Sequence, residues 1–198
     1  MKYSYQGVNM QNWIKSMIEE SIETKKLCEV LIPNIEKAVG LVIDALKNNK
    51  KVLIAGNGGS ASQASHIAAE FIGRYKIERK GLPAIALTTD LAAITAIGND
   101  YGFDSIFERQ IEALGNEGDV FIALSTSGNS KNLIKAVEAA KKLNVYVIGL
   151  LGKDGGKLKN TSKVEIIVTS DNTPRIQEAH LMILHIICEL AERELFGK

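Results

Sequence analysis

The chain has 198 residues, of which 45% are hydrophobic and 24% are charged, and its formal net charge at pH 7 is +1. This balance is typical of a soluble globular protein with a full core, and it excludes a disordered or fibrous chain. A net charge so close to zero excludes a global field that attracts nucleic acid or an anionic membrane, so any bound anion must be held by a local site.

Residues 12–48 predict two helices ahead of the rest of the fold. Pro33 breaks or starts a helix, so we expect the two helices to meet near Leu31 and Ile32. The pair leaves a broad apolar face, which predicts packing against another subunit. The apolar residues that recur at steps of three and four are Ile14, Met17, Ile18 and Ile22 in the first helix, and Ile35, Val39, Val42, Ile43 and Leu46 in the second.

From residue 51 onwards, short apolar strands alternate with helices. This alternation predicts an α/β fold with a parallel sheet, in one domain over residues 1–198 whose α/β core begins at residue 51. We find no internal repeat or linker that would divide the chain. Strands are predicted at residues 52–55, 84–87, 119–124, 145–150 and 164–168, and helices at 60–75, 130–143 and 175–196.

Several features predict a cytoplasmic protein. The cysteines, Cys28 and Cys188, are far apart and form no C-x-x-C pair, which favours free thiols in a reducing compartment. Residues 1–11 contain one lysine and no apolar run, so we expect no signal peptide. The longest apolar runs, such as residues 145–151, are much shorter than the roughly 20 residues that cross a membrane.

A serine-rich turn, Ser125-Thr126-Ser127-Gly128-Asn129-Ser130, follows the third predicted strand and leads into a helix. Hydroxyls, glycine amides and a helix N-terminus together bind phosphate without a large positive charge. In parallel α/β folds, ligands bind at this end of the strands. The alternative is that Ser127 to Ser130 only cap the helix. A cap needs one serine, whereas this turn has four hydroxyls, so we favour a phosphate site.

A glycine-rich turn, Gly56-Asn57-Gly58-Gly59-Ser60, follows the first predicted strand and is a second candidate phosphate contact. Glycine turns end many strands, so this turn by itself is weak evidence. It does not match the dinucleotide signature G-x-G-x-x-G, because Ala61 occupies the last position, and no Walker lysine follows.

Acid–base chemistry is suggested by His66 and Glu70, which are four residues apart and share a helix face. The residues that flank Glu70 are apolar, and an apolar setting raises the pKa of a carboxyl toward that of a working base. His185 lies in an apolar helix, where a histidine is either buried and satisfied or faces a site. For each of the three histidines, His66, His180 and His185, a purely structural place in the core or on the surface is the alternative.

One glutamate and one histidine would suffice for an aldose–ketose isomerase. Such an enzyme needs a base that carries a proton between adjacent carbons and an acid that protonates or polarises the carbonyl oxygen. A divalent metal held by histidine and glutamate would polarise the oxygen instead, and zinc suits these ligands.

These motifs together resemble the sugar isomerase (SIS) family and, within it, the phosphoheptose isomerases. The resemblance implies an SIS-type three-layer α/β sandwich with a five-stranded parallel sheet, and a homotetramer with active sites between subunits. It also implies conversion of D-sedoheptulose 7-phosphate to D-glycero-D-manno-heptose 7-phosphate, the first step toward the activated heptose of bacterial surface glycans such as lipopolysaccharide. The segments that carry the resemblance are residues 56–60, 66–70, 73–75, 96–103, 125–130, 152–156 and 175–178.

The resemblance further implies the functional residues. Glu70 is the acid–base residue and His185 is its partner. By the same resemblance, one Zn²⁺ ion per subunit is expected to be bound by His66, Glu70, Gln177 and His185. The substrate contacts are Asn57, Gly58, Gly59, Glu70, Asn99, Asp100, Ser125, Thr126, Ser127, Ser130 and Gln177, with Arg74 as an additional contact.

The metal ligands raise a geometric question. Gln177 and His185 are eight residues apart, which is about 12 Å along a straight helix. Both reach one metal only if the helix begins at or after Gln177, or if another subunit supplies one of them. His180 is nearer to Gln177 in sequence and is the rival ligand.

Two other classes of SIS protein are the alternatives to an enzyme. A non-catalytic SIS protein that binds the replication initiator keeps the serine turn but lacks the catalytic glutamate and the late histidine, whereas this chain has Glu70 and His185. SIS transcription factors carry an N-terminal DNA-binding domain. The first fifty residues here contain no basic recognition helix, which leaves little room for one.

Overall fold

The structure of the protein is a computed structural model that describes residues 4–5 and 8–197. A short antiparallel pair, β1 (Ser4–Tyr5) and β2 (Val8–Asn9), precedes the first helix. The elements that follow are α1 (Met10–Leu27), α2 (Ile32–Lys47), β3 (Val52–Gly56), α3 (Gly59–Ile72), β4 (Ala84–Ala86), α4 (Leu91–Tyr101), α5 (Glu108–Leu114), β5 (Val120–Ser125), α6 (Lys131–Lys142), β6 (Tyr146–Gly152), β7 (Val164–Val168) and α7 (Thr173–Phe196).

The predicted five-stranded parallel sheet is confirmed, in the order β4-β3-β5-β6-β7. Strands β3 and β5 are buried along their whole length, as expected for strands covered on both faces. Strand β4 lies on one side of β3, and the next strand of the chain, β5, lies on the other side, so the strand order reverses at β3. In α/β folds, such a switch point opens a crevice at the carboxyl ends of the two strands.

The sheet separates two apolar layers. Alternate residues of β3 point to opposite faces, so Val52 and Ile54 contribute to one layer and Leu53 and Ala55 to the other. Helices α2, α3 and α7 cover the first face, and α5 and α6 cover the second. These layers confirm the predicted sandwich.

The N-terminal helical pair is also confirmed. Helix α1 ends at Leu27, a 3₁₀ turn spans Cys28–Leu31, and Pro33 lies in the first turn of α2, where its missing N–H costs nothing. Helix α1 contacts α7 but keeps most of its apolar residues in solvent. The apolar residues of α1 that are 46–56% exposed are Trp13, Ile14, Met17, Ile18 and Ile22.

Helices α4 and α5 were not predicted. Helix α4 begins at an Asp90 cap, whose carboxylate accepts a hydrogen bond of 2.9 Å from the Ala93 amide. None of its residues is buried, and Leu91 is 73% exposed. Ile94 and Ile97 pack against the core but are only partly buried, so the core-facing stripe is short and the helical periodicity is weak. None of the helices in the described part of the chain combines the length and apolar character that crossing a membrane requires.

Candidate active site

The serine turn joins β5 to α6 at the switch point of the sheet. The Ser125 hydroxyl accepts a hydrogen bond of 3.0 Å from the Gly128 amide, and the Ser127 hydroxyl accepts one of 3.2 Å from the Asn129 amide. Ser130 is the N-cap residue of α6, but its hydroxyl makes no capping hydrogen bond. The hydroxyls of this turn therefore do not serve as a conventional helix cap, and the first amides of α6 remain available as donors.

The backbone of the loop after β6 braces the serine turn. Gly128 has φ +64°, and a Cβ at this position would overlap the carbonyl oxygen of Gly155. The Gly128 carbonyl accepts a hydrogen bond of 3.0 Å from the Leu158 amide, and the Asn129 side chain accepts one of 3.1 Å from the Lys157 amide. Residues 152–156, part of the family resemblance, thus support the shape of the turn.

The glycine turn lies beside the serine turn because β3 and β5 are neighbours. Gly58 has φ +56° at the N-cap of α3, a conformation that favours glycine. Asn57 and Asn132 join the two turns through a reciprocal pair of side-chain hydrogen bonds of 3.0 and 2.9 Å. Asn132 is 2% exposed and was missed by the sequence analysis, because nothing in its local sequence separates it from a solvent-facing residue at a helix start.

His66, Glu70 and His185 converge between α3 and α7. The His66 Nε2 atom lies 3.0 Å from Glu70 Oε1 and 3.5 Å from His185 Nε2. One ligand atom from each of these residues lies within 4.8 Å of the other two, so the group is able to hold a metal ion. Two imidazoles and one carboxylate are a donor set that suits zinc and leaves a fourth position open. We call these three residues the His–Glu cluster.

The electrostatics of the cluster favour a neutral His185. Burial lowers the pKa of His185, and the neighbouring His66 lowers it further, while Glu70 opposes them. A neutral imidazole is the form that binds a metal or accepts a proton. The apolar setting expected around Glu70 is not its spatial environment. Ala68 and Phe71 are buried in the core, whereas the Glu70 side chain is 24% exposed beside His66.

His180 is not a rival ligand. It is fully buried on the core side of α7, where its Nε2–H donates a hydrogen bond of 3.0 Å to the carbonyl of Leu151. Burial lowers its pKa to about 4, so its ring is neutral at pH 7. The His–Glu cluster uses His185 instead.

Gln177 lies apart from the His–Glu cluster. Its side chain packs on Gly59, where an added Cβ would lie 2.6 Å from Gln177 Nε2. Helix α7 begins at Thr173, before Gln177, so the route by which the helix would start at or after Gln177 is excluded. Within one chain, Gln177 and His185 remain about 12 Å apart along α7 and do not converge on one ion.

The remaining candidates lie at the surface. Asn99 and Asp100, at the end of α4, are exposed and hydrogen-bond to each other at 2.8 Å. Arg74 is exposed and pairs with Glu78 at 3.4 Å. Among the described residues, none of these hydrogen bonds or ion pairs joins them to the serine turn or the His–Glu cluster.

The serine turn and the His–Glu cluster lie at separate places on one chain. His66 comes seven residues after Gly59, which is about 10 Å along α3 from the glycine turn. A surface depression of about 530 Å³ is lined by His185, Tyr75 and Glu189, and no residue of the serine turn lines it.

Comparisons with known proteins identify the family. The SIS domain family matches residues 17–152. The phosphoheptose isomerase of Clostridium acetobutylicum is 52% identical over 194 residues, which are 96% of this chain and 98% of that protein. The structure of a phosphoheptose isomerase from Neisseria gonorrhoeae is 44% identical with a TM-score of 0.87, and covers 93% of this chain and 99% of that one. The structure of a phosphoheptose isomerase from Francisella tularensis is 41% identical with a TM-score of 0.90, and the match covers 94% of this chain and 100% of that one. The chain therefore belongs to the phosphoheptose isomerases of the SIS domain family, which are isomerase enzymes.

Proposed function

We propose that the protein converts D-sedoheptulose 7-phosphate to D-glycero-D-manno-heptose 7-phosphate, at the start of the synthesis of an activated heptose for surface glycans such as lipopolysaccharide. The observation that carries this proposal is the His–Glu cluster, which joins a carboxylate and two imidazoles at hydrogen-bond distances. Membership of the phosphoheptose isomerase family supports the choice of substrate.

Glu70 and His185 are the acid–base residues of this proposal. Glu70 removes a proton from C1 of the ketose and returns it to C2, while His185 passes the hydroxyl proton from O1 to O2. Burial lowers the pKa of His185 and so favours its neutral ring, which accepts a proton through a nitrogen that no metal occupies. Exposure of the Glu70 carboxylate leaves it open to substrate.

The two turns at the switch point hold the substrate. The phosphate is bound by hydroxyls and by the amides of the glycine turn and of α6, which provide donors at little cost in net charge. The proposed contacts to phosphate and sugar are Asn57, Gly58, Gly59, Asn99, Asp100, Ser125, Thr126, Ser127, Ser130 and Gln177, with Arg74 in addition.

Zinc is the proposed cofactor, held by His66, Glu70 and His185, one ion per subunit. The three donors lie within 4.8 Å of one another, which fits a zinc site with an open position. When bound, the ion would supply a Lewis acid for the carbonyl oxygen. Gln177 acts as a fourth ligand only if a second subunit presents it.

A homotetramer with shared active sites completes the proposal. The apolar face of α1 and the side chain of Leu91 at the start of α4 are exposed in one chain, and exposed apolar surface is typical of subunit interfaces. Association also offers a way to join the serine turn of one subunit to the His–Glu cluster of another. We further infer one SIS domain over residues 1–198 in the cytoplasm, where both buried, unpaired cysteines stay reduced.

A turnover assay with sedoheptulose 7-phosphate tests the function. The wild type, stripped of metal and then reloaded with Zn²⁺, is compared with Glu70→Gln and with the control Glu194→Gln, an exposed carboxylate that pairs with Lys47. We expect turnover by the wild type and the control, and a kcat lower by about 10³-fold in Glu70→Gln with little change in unfolding temperature.

Each arm of the assay contradicts a different part of the proposal. A wild type that folds but does not turn over the substrate contradicts the isomerase and favours a non-catalytic SIS protein. Full activity of Glu70→Gln contradicts Glu70 as the base. Equal activity of the stripped and the reloaded enzyme contradicts a requirement for zinc.

A further inference from the structure

The loop that follows α3 is held by a carboxylate buried in α7. Glu192 is 1% exposed, and it accepts hydrogen bonds from three consecutive amides of this loop. The amides and their distances are Tyr75 (2.9 Å), Lys76 (2.6 Å) and Ile77 (2.9 Å). These bonds lower the pKa of the Glu192 carboxyl against the opposing effect of burial, so they favour its charged form.

Arg79 completes the arrangement from the other end of the loop. Its side chain is 2% exposed, and its Nε donates a hydrogen bond of 2.8 Å to Glu192. The rest of its guanidinium donates to backbone carbonyls, at 2.9 Å to Glu70, 2.9 Å to Phe71, 3.1 Å to Gly73 and 3.0 Å to Lys80. The hydrogen bond to the Glu70 carbonyl joins Arg79 to the last turn of α3, where the backbone carbonyls have no partners within the helix.

The loop brings Tyr75 to the His–Glu cluster. The Tyr75 ring stacks on the His185 ring, with centroids 5.6 Å apart and planes 25° apart. Because the Tyr75 amide is bonded to Glu192, one buried carboxylate fixes the backbone that carries this ring. The pair is therefore connected to two members of the cluster. Arg79 hydrogen-bonds to the backbone carbonyl of Glu70. Glu192 holds Tyr75, whose ring stacks on His185.

Glu192 and Arg79 satisfy buried backbone groups, so they stabilise the loop as well as contacting the cluster. A second buried carboxylate in the chain allows these two roles to be separated. This second carboxylate is Asp119, which has Lys51 as its basic partner and lies beside the amino ends of the central strands β5 and β3. Asp119 is 1% exposed and accepts hydrogen bonds of 2.8 Å and 3.0 Å from the amides of Asn116 and Lys51, but none from a candidate site residue.

We propose that Arg79 and Glu192 are positioning residues, which hold Glu70 and the Tyr75–His185 stack in the geometry that the reaction needs. This inference rests on the proposed function. Displacement of a catalytic group by about 1 Å can cost as much as 10²-fold in rate, so the effect is expected on kcat.

The test compares Glu192→Gln with the matched control Asp119→Asn, measuring kcat, KM and unfolding temperature. A second readout is the visible absorption spectrum of the Co²⁺-loaded protein, which reports ligand geometry without turnover. For Glu192→Gln we expect kcat to fall by about 10- to 100-fold, KM to change by less than about threefold, and the Co²⁺ spectrum to shift. Asp119→Asn should lose stability while its kcat and spectrum match those of the wild type.

Tyr75→Leu tests the inference without disturbing the buried pair, should Glu192→Gln fail to fold. It should lower kcat by about tenfold, and Tyr75→Phe, which keeps the ring, should restore it. A wild-type kcat and spectrum in folded Glu192→Gln, a wild-type kcat in Tyr75→Leu, or an equal loss in Asp119→Asn would overturn the inference. A wild type without turnover would instead contradict the proposed function, and the Co²⁺ spectra would still decide the positioning role.

Discussion

Two faces of α7 carry histidines of opposite character. His180 and His185 are five residues apart, or about 140° around the helix. His180 is fully buried against the sheet, whereas His185 is half-buried and reaches His66 across the gap to α3. Apolar residues flank both in sequence. The comparison teaches that the face of the helix, and not the local sequence, decides which histidine belongs to the core and which to the site.

The largest expected effect is the loss of His185. We expect His185→Gln to lower kcat by about 10²- to 10⁴-fold, because a general acid–base group is removed, with little change in the free energy of unfolding. His180→Gln should keep kcat nearly unchanged but lower the free energy of unfolding. The glutamine side-chain amide is able to donate to the Leu151 carbonyl but packs poorly in the core. Steady-state kinetics and urea unfolding of both variants provide the measurement. A wild-type kcat in His185→Gln, or a large kcat loss in folded His180→Gln, would break the comparison.

A smaller effect is expected on the free energy of unfolding when the pH is lowered. His180 titrates near pH 6.5 in the unfolded chain but at about 4 when folded, so the unfolded state binds the proton first as the pH falls. Its contribution to stability is complete above pH 6.5 and is lost as the pH falls toward 4. At about 1.4 kcal/mol per pKa unit, this amounts to about 3 kcal/mol.

Urea unfolding at several pH values and one fixed protein concentration measures this loss. Other groups also titrate in this range, so the test is the difference between two proteins. The wild type should lose about 3 kcal/mol more than His180→Gln between pH 6.5 and 4. Parallel curves for the two proteins would show that His180 is not the buried, neutral group that its surroundings indicate.

The smallest effect is expected in the serine turn, where the same contrast between a core group and a site group applies. Ser125 is 3% exposed and supports the turn, whereas Ser127 is half-buried and open to a ligand. Ser127→Ala should raise KM about three- to tenfold with kcat nearly unchanged, because one hydrogen bond is worth about 1 kcal/mol. An unchanged KM would leave Ser127 with a structural role, as acceptor for the Asn129 amide.

The sequence predicted the parts of the fold that depend on local patterns. The apolar runs of β3 and β5 and the break at Pro33 all have local physical causes, and each was recognised from the residues. Helix α4 was missed because only Ile94 and Ile97 pack against the core, and both stay partly exposed, which is too short a stripe to indicate a helix.

The site was predictable where its members share one helix, as His66 and Glu70 do four residues apart. Contacts that join distant parts of the chain left no local signal. Glu192 and Arg79 are 113 residues apart, and Asn57 and Asn132 are 75 apart. The environment of Glu70 was wrongly inferred because its sequence neighbours point to other faces of α3. The roles of the individual site residues stay predictions.

The contact between the serine turn and the loop at Gly155 has a consequence for protein engineering. Gly128 meets Gly155 backbone to backbone, so the two loops form one steric unit although these glycines are 27 positions apart in the sequence. Grafting the six-residue turn alone into another scaffold would leave its shape unsupported. A designer who wants this turn elsewhere has to transplant both loops together, and a library that randomises one of them should keep the other's glycines unchanged.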